Sequence, residues 1–82
     1  MTKKNWKKFP FEIDGVNFIS RVDMNSSTGK RIAKLPEGIF EQMNKGAIRD
    51  ILGNVADLSI EELSAKLEVI NDGGSYAFIE LG

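Results

Sequence analysis

Between residues 8 and 24 apolar and polar side chains alternate with the period of a β-strand, interrupted by Asp14-Gly15. That dipeptide suits the central positions of a type I′ turn, where both residues take positive φ. Such a turn sets Ile13 opposite Val16, Glu12 opposite Asn17, Phe11 opposite Phe18 and Phe9 opposite Ser20. Phe9, Phe11, Ile13, Val16, Phe18, Val22 and Met24 then share one face of a hairpin. The other face carries Lys8, Glu12, Asn17, Arg21 and Asp23, with Ile19 as its apolar member. Pro10 cannot donate to a ladder, so the first strand is expected at a sheet edge.

Beyond the hairpin, Asn25–Lys30 reads as a turn or loop, and residues 31–35 as a short third strand, with Ile32 alternating against Arg31 and Ala33, or as extended coil. Leu35-Pro36 then opens a helix, because proline restricts the residue before it and suits the first helical turn. Ile39, Phe40, Met43, Ala47, Ile51 and Leu52 form its apolar stripe, with Gly46 a point where the helix could break. A second helix begins at Ser59. Glu62 completes a capping box, and Leu58 and Leu63 form a hydrophobic staple around it. This helix is expected to reach about Leu67, packed through Ile60, Leu63 and Leu67. Asp72-Gly73-Gly74 next predicts a second hairpin, with Val69, Ile70, Tyr76 and Phe78 supplying apolar surface. The predicted fold class is α+β: an antiparallel sheet of four or five strands with two helices packed on one face, in the order β-β-(β)-α-α-β-β.

The chain has 82 residues, which points to a single small domain, 1–82, with residues 1–7 as a flexible basic arm. A hydrophobic fraction of 41% is sufficient for a core and excludes a disordered charged chain. No apolar run is long enough for a membrane span, and the basic start lacks the apolar stretch of a secretory signal, so a soluble cytoplasmic protein is expected. Asn25-Ser26-Ser27 matches a glycosylation acceptor but, without such a signal, reads as loop.

The net charge of −1 conceals an asymmetry. Residues 1–34 carry eight basic and three acidic side chains, giving +5, whereas residues 35–82 carry three basic and nine acidic, giving −6. This supports orientation toward an anionic partner, complementarity within the fold, or head-to-tail self-association.

With neither histidine nor cysteine, the chain has no imidazole base, no thiol nucleophile and none of the usual zinc ligands. Glu61 and Glu62 are better placed as a helix first turn and cap than as a catalytic pair. Asp50, Asp57 and Asp72 lack calcium-loop spacing. Ser26–Arg31 resembles part of a phosphate loop, but Met24 stands where the first glycine is needed and Arg31 where Ser or Thr is needed. A helix-turn-helix lacks its recognition helix, since a hairpin is expected after residue 67. The expectation is therefore a non-enzyme without metal or cofactor.

Lys3, Lys4, Lys7 and Lys8 surround Trp6, and Arg21, Lys30, Arg31 and Lys34 extend the candidate binding surface. Lysines neutralise phosphates and an indole stacks on an exposed base. The plainer role is solubility, since lysines ahead of a strand discourage edge aggregation; Trp6 and Tyr76 would then cover the core and sheet rim. The leading expectation is a protein–protein interaction module such as a small regulator, inhibitor or assembly accessory. The alternative is a single-stranded RNA or DNA binder using the basic N-terminal segment and the Lys30–Lys34 region. Self-association is a further expectation, and membrane binding is not expected.

Overall fold

The structure is a computed structural model that describes residues 3–72, 74 and 76–82. Two strands, β1 (Trp6–Ile13) and β2 (Val16–Asp23), are followed by helices α1 (Ser27–Ala33) and α2 (Ile39–Leu52). A 3-10 turn (Val55–Asp57), helix α3 (Ile60–Asn71) and strand β3 (Ala77–Leu81) complete the described elements. The sheet is antiparallel in the order β1-β2-β3.

The first hairpin follows the sequence pattern residue by residue. Asp14 and Gly15 have φ of 50° and 83°, and Ile13–Val16, Phe11–Phe18 and Phe9–Ser20 are paired. Phe11 and Phe18 stack with ring centroids 5.4 Å apart. They join Ile13, Ile48 and Leu52 of α2, Val55, and Leu63 and Leu67 of α3 in one buried core.

The four- or five-stranded sheet expected from sequence is not formed among the described residues, whose order is β-β-α-α-α-β, with three strands and three α-helices. Residues 31–35 belong to the end of α1 and the loop after it, not to a third strand. The helix starts because Ser26 is an N-cap whose hydroxyl oxygen accepts from Gly29 N–H at 3.0 Å. The same hydroxyl donates to Asp23 C=O, anchoring the cap to β2.

The expected second hairpin is also absent. Helix α3 runs on to Asn71, so Val69 and Ile70 are helical and β3 is a single strand; Gly73 of the expected turn lies outside the described residues. The capping box of Ser59 and Glu62 nucleates α3, and Leu63, Leu67 and Ile70 place apolar surface against the core at helical spacing. That burial outweighs the β-propensity of Val69 and Ile70. Asn71 then clasps β3: its Nδ2 donates to Ile79 C=O at 2.6 Å and its Oδ1 accepts from Ile79 N–H at 2.9 Å.

Helix α2 is continuous through Gly46; of the expected stripe Phe40 and Leu52 face inward, joined by Asn44 and Ile48. Asn44, Ile48 and Leu52 are buried and Phe40 half-buried, whereas Ile39, Met43, Ala47 and Ile51 are exposed. Gly38, with φ of 84°, is the N-cap, which moves the start from Pro36 to Ile39.

Candidate functional site

The outer edge of β1, unpaired among the described residues, borders a groove. In a hairpin closed by a two-residue turn, Ile13 and Val16 form a hydrogen-bonded pair, and every second pair along the ladder repeats this. Phe11, Phe9 and Lys7 therefore turn their backbone groups toward β2, while Glu12, Pro10, Lys8 and Trp6 turn theirs outward. Bonds on the other side of β2 agree with this alternation: Asp23 N–H donates to Tyr76 C=O at 2.8 Å, and Gly82 N–H donates to Asn17 C=O at 3.0 Å. Pro10 thus occupies an outward position, where its missing N–H breaks no bond within the sheet.

A groove of about 560 Å³ lies between this edge, the α1–α2 connection and the start of α2. Phe9, Phe11, Met24, Ile32, Leu35 and Phe40 supply its apolar wall. Phe9 and Phe40 meet edge to face, with centroids 4.9 Å apart. The Lys7 ammonium lies 5.2 Å from the centre of the Phe9 ring. Lys7 and Lys8 stand on the strand side, and Glu37 and Glu41 on the helix side. Glu41 is 3.9 Å from Lys45, while neither Lys7 nor Lys8 has a carboxylate within 4.0 Å among the described residues.

Asn44 also lines the groove. Its side chain is held in the inward row of α2 with only 8% of the residue exposed, and its Nδ2 has no hydrogen-bond partner among the described residues. An unmet buried donor of this kind costs about 1–3 kcal/mol. It gives the apolar wall of the groove one directional polar group.

The open face of the sheet gathers a second set of side chains. Trp6 lies 5.1 Å, centroid to centroid, from Phe78, and Lys4 Nζ is 5.5 Å from the Trp6 ring and 5.9 Å from that of Tyr76. Lys8 and Arg21 are cross-strand neighbours there. Arg21 Nε is 2.6 Å from Glu80 Oε1, a close ion pair without hydrogen-bond alignment; both side chains are substantially exposed, so the pair contributes little to stability. Lys3 C=O accepts from the Asn25 side chain, and Asp23 Oδ1 accepts from Asn5 N–H at 2.9 Å and from Asn25 N–H at 3.0 Å, tying the start of the described chain to the end of β2.

The residues singled out from sequence therefore divide. Trp6, Lys4, Lys8 and Arg21 gather at the open sheet face, Lys7 turns to the groove, and Lys3 precedes β1. Lys30 and Arg31 ride on α1 and Lys34 forms its C-cap, all exposed, and no contact among the described residues joins them to Trp6. Sequence reasoning missed Phe40 and Asn44 as groove residues. Their signal was the four-residue spacing of Phe40, Asn44, Ile48 and Leu52, obscured by the more apolar row beside it.

Among the described residues no group of three or more acidic side chains is placed to hold a metal ion, and no helix is long and apolar enough to cross a membrane. Comparison with known proteins finds no matching family, and neither a curated protein nor a solved structure matches the chain.

Proposed function

We propose that this small α+β domain is a non-enzymatic interaction module that binds another protein through the groove beside β1. The observation that carries this reading is the apolar groove itself, open along an unpaired strand edge and containing the unsatisfied amide of Asn44. Uncovered apolar surface next to free backbone groups suits recognition of a polypeptide better than acid–base chemistry. A regulator, inhibitor or assembly accessory would act by occupying or presenting a partner at this groove.

A photo-crosslinking side chain at Glu37, exposed at the groove mouth, tests the reading in the source cell. Expected is a discrete protein adduct that disappears when Phe40→Glu is introduced into a chain still folded by circular dichroism. Absence of a protein adduct from Glu37 refutes the groove as the docking site. The second reading, a single-stranded nucleic-acid binder, is favoured by the Trp6, Tyr76 and Phe78 rings beside Lys4, Lys8 and Arg21, a stacking surface with phosphate-binding cations. A crosslinker at Ile19 on that face would then give nuclease-sensitive adducts, weakened by Trp6→Ala and by added salt.

A further inference from the structure

We infer that the groove receives an extended segment of the partner, added as a new strand along the outer edge of β1, with apolar side chains alternating with acidic ones. The inference rests on the groove being a protein-docking site and specifies what docks there.

Backbone chemistry selects a strand over a helix. The outward carbonyls of Trp6, Lys8, Pro10 and Glu12, and the outward N–H groups of Trp6, Lys8 and Glu12, follow from the hairpin register. A helix laid in the groove satisfies its own backbone and would cover these groups without pairing them. An added strand pairs with them, at the usual interstrand spacing of about 4.8 Å.

Side-chain chemistry then sets the pattern. Alternate residues of an added strand face opposite sides of the sheet. One set lies over Phe9 and Phe40 and is apolar. The other lies beside Trp6, Lys8, Pro10 and Glu12, where Lys8 selects a carboxylate. Neither Lys7 nor Lys8 has an acidic neighbour within 4.0 Å among the described residues, and because Lys7 shares the groove with Glu37 and Glu41 the carboxylate is expected beside Lys8. The unsatisfied Asn44 amide supplies a donor for a carbonyl or carboxylate of the incoming segment.

Pro10 argues that the occupant is not a second copy. In an antiparallel two-fold pairing of β1 with β1 the missing N–H enters twice, once from each chain. A foreign acidic strand meets the gap once and neutralises Lys8.

The test selects peptides of about 12 residues from a random displayed library on the full chain, with counter-selection on Phe40→Glu. Expected are sequences alternating apolar and acidic residues. A synthesised representative should slow hydrogen exchange at Lys8 and Glu12 N–H. Its affinity should fall about tenfold with Lys8→Glu, an exposed position expected to leave the fold intact, and with N-methylation of alternate peptide residues. Asn44→Leu should weaken binding while raising the denaturation midpoint, a combination that a purely structural asparagine would not give. Enriched peptides with helical spacing that compete at Glu37 would overturn the strand while leaving the groove a protein site. No enrichment, or enrichment indifferent to Phe40→Glu, would overturn both.

Discussion

Gly29 and Gly46 both sit inside helices, and the structure gives them opposite sensitivities. A Cβ on Gly29 would lie 2.2 Å from Asp23 C=O oxygen and 2.5 Å from Met24 Cα, backbone atoms fixed by the end of β2. A Cβ on Gly46 meets nothing within 4 Å. Gly29→Ala is therefore expected to destabilise by about 3 kcal/mol or more, since α1 must lift from the sheet. Gly46→Ala should stabilise by about 0.5–1 kcal/mol through helix propensity. Urea midpoints of both variants check this, and a Gly29→Ala protein as stable as the parent would refute the close seating of α1 on β2. Only one kind of glycine requirement was legible in the sequence. Gly15 belongs to a local turn whose chemistry is written in Asp14-Gly15, whereas Gly29 answers to a strand end that only the fold presses against it, and no neighbouring residue announces that contact.

Among the elements, α2 shows how an apolar pattern can be real and still face the wrong way. Ile39, Met43, Ala47 and Ile51 repeat every four residues and form the more conspicuous row, yet Phe40, Asn44, Ile48 and Leu52 pack inward. The two rows lie side by side on one helix, and contact with the sheet and α3 decides between them. Ile48→Ala should cost about 2–5 kcal/mol, because its side chain is wholly buried. Met43→Ser should stay within about 0.5 kcal/mol of the parent. Equal losses from the two variants would mean that the helix is rotated from its described orientation. The same dependence on distant contacts explains the misread ends of the sheet. Ile32 alone does not distinguish a strand from one helical turn, and the β-propensity of Val69-Ile70 is local whereas the packing of Ile70 beside Leu63 and Leu67 is not. The first hairpin was legible because turn, alternation and register are local; the groove was not, because it is assembled from β1, α1 and α2.

Across the whole molecule, the two sheet edges are treated differently, and this bears on self-association. The outer edge of β3 is engaged at Ile79 by the paired hydrogen bonds of Asn71. Among the described residues the outer edge of β1 has no such cover, and it is defended by Pro10 and the neighbouring lysines. Charge asymmetry between residues 1–34 and 35–82 still favours contact between unlike surfaces, but strand-to-strand growth through β1 meets the missing donor of Pro10 in each copy. The chain is therefore expected to sediment as a monomer at micromolar concentration. Replacing Lys8 and Pro10 together by valine restores an outward N–H and removes a charge from the same edge, so the double variant should associate with increasing concentration. Salt separates the two routes of assembly: contacts between the basic and acidic regions dissolve as ionic strength rises, whereas backbone pairing and apolar burial at a valine edge persist. Sedimentation of parent and double variant at low and high salt measures this. A parent that forms salt-resistant dimers would show that Pro10 and Lys8 do not protect the edge, while a monomeric double variant would show that protection lies elsewhere. A monomeric parent that pairs with an acidic strand would place the selectivity of β1 in the same two residues, Pro10 hindering pairing with a copy of the chain and Lys8 accepting a segment of opposite charge.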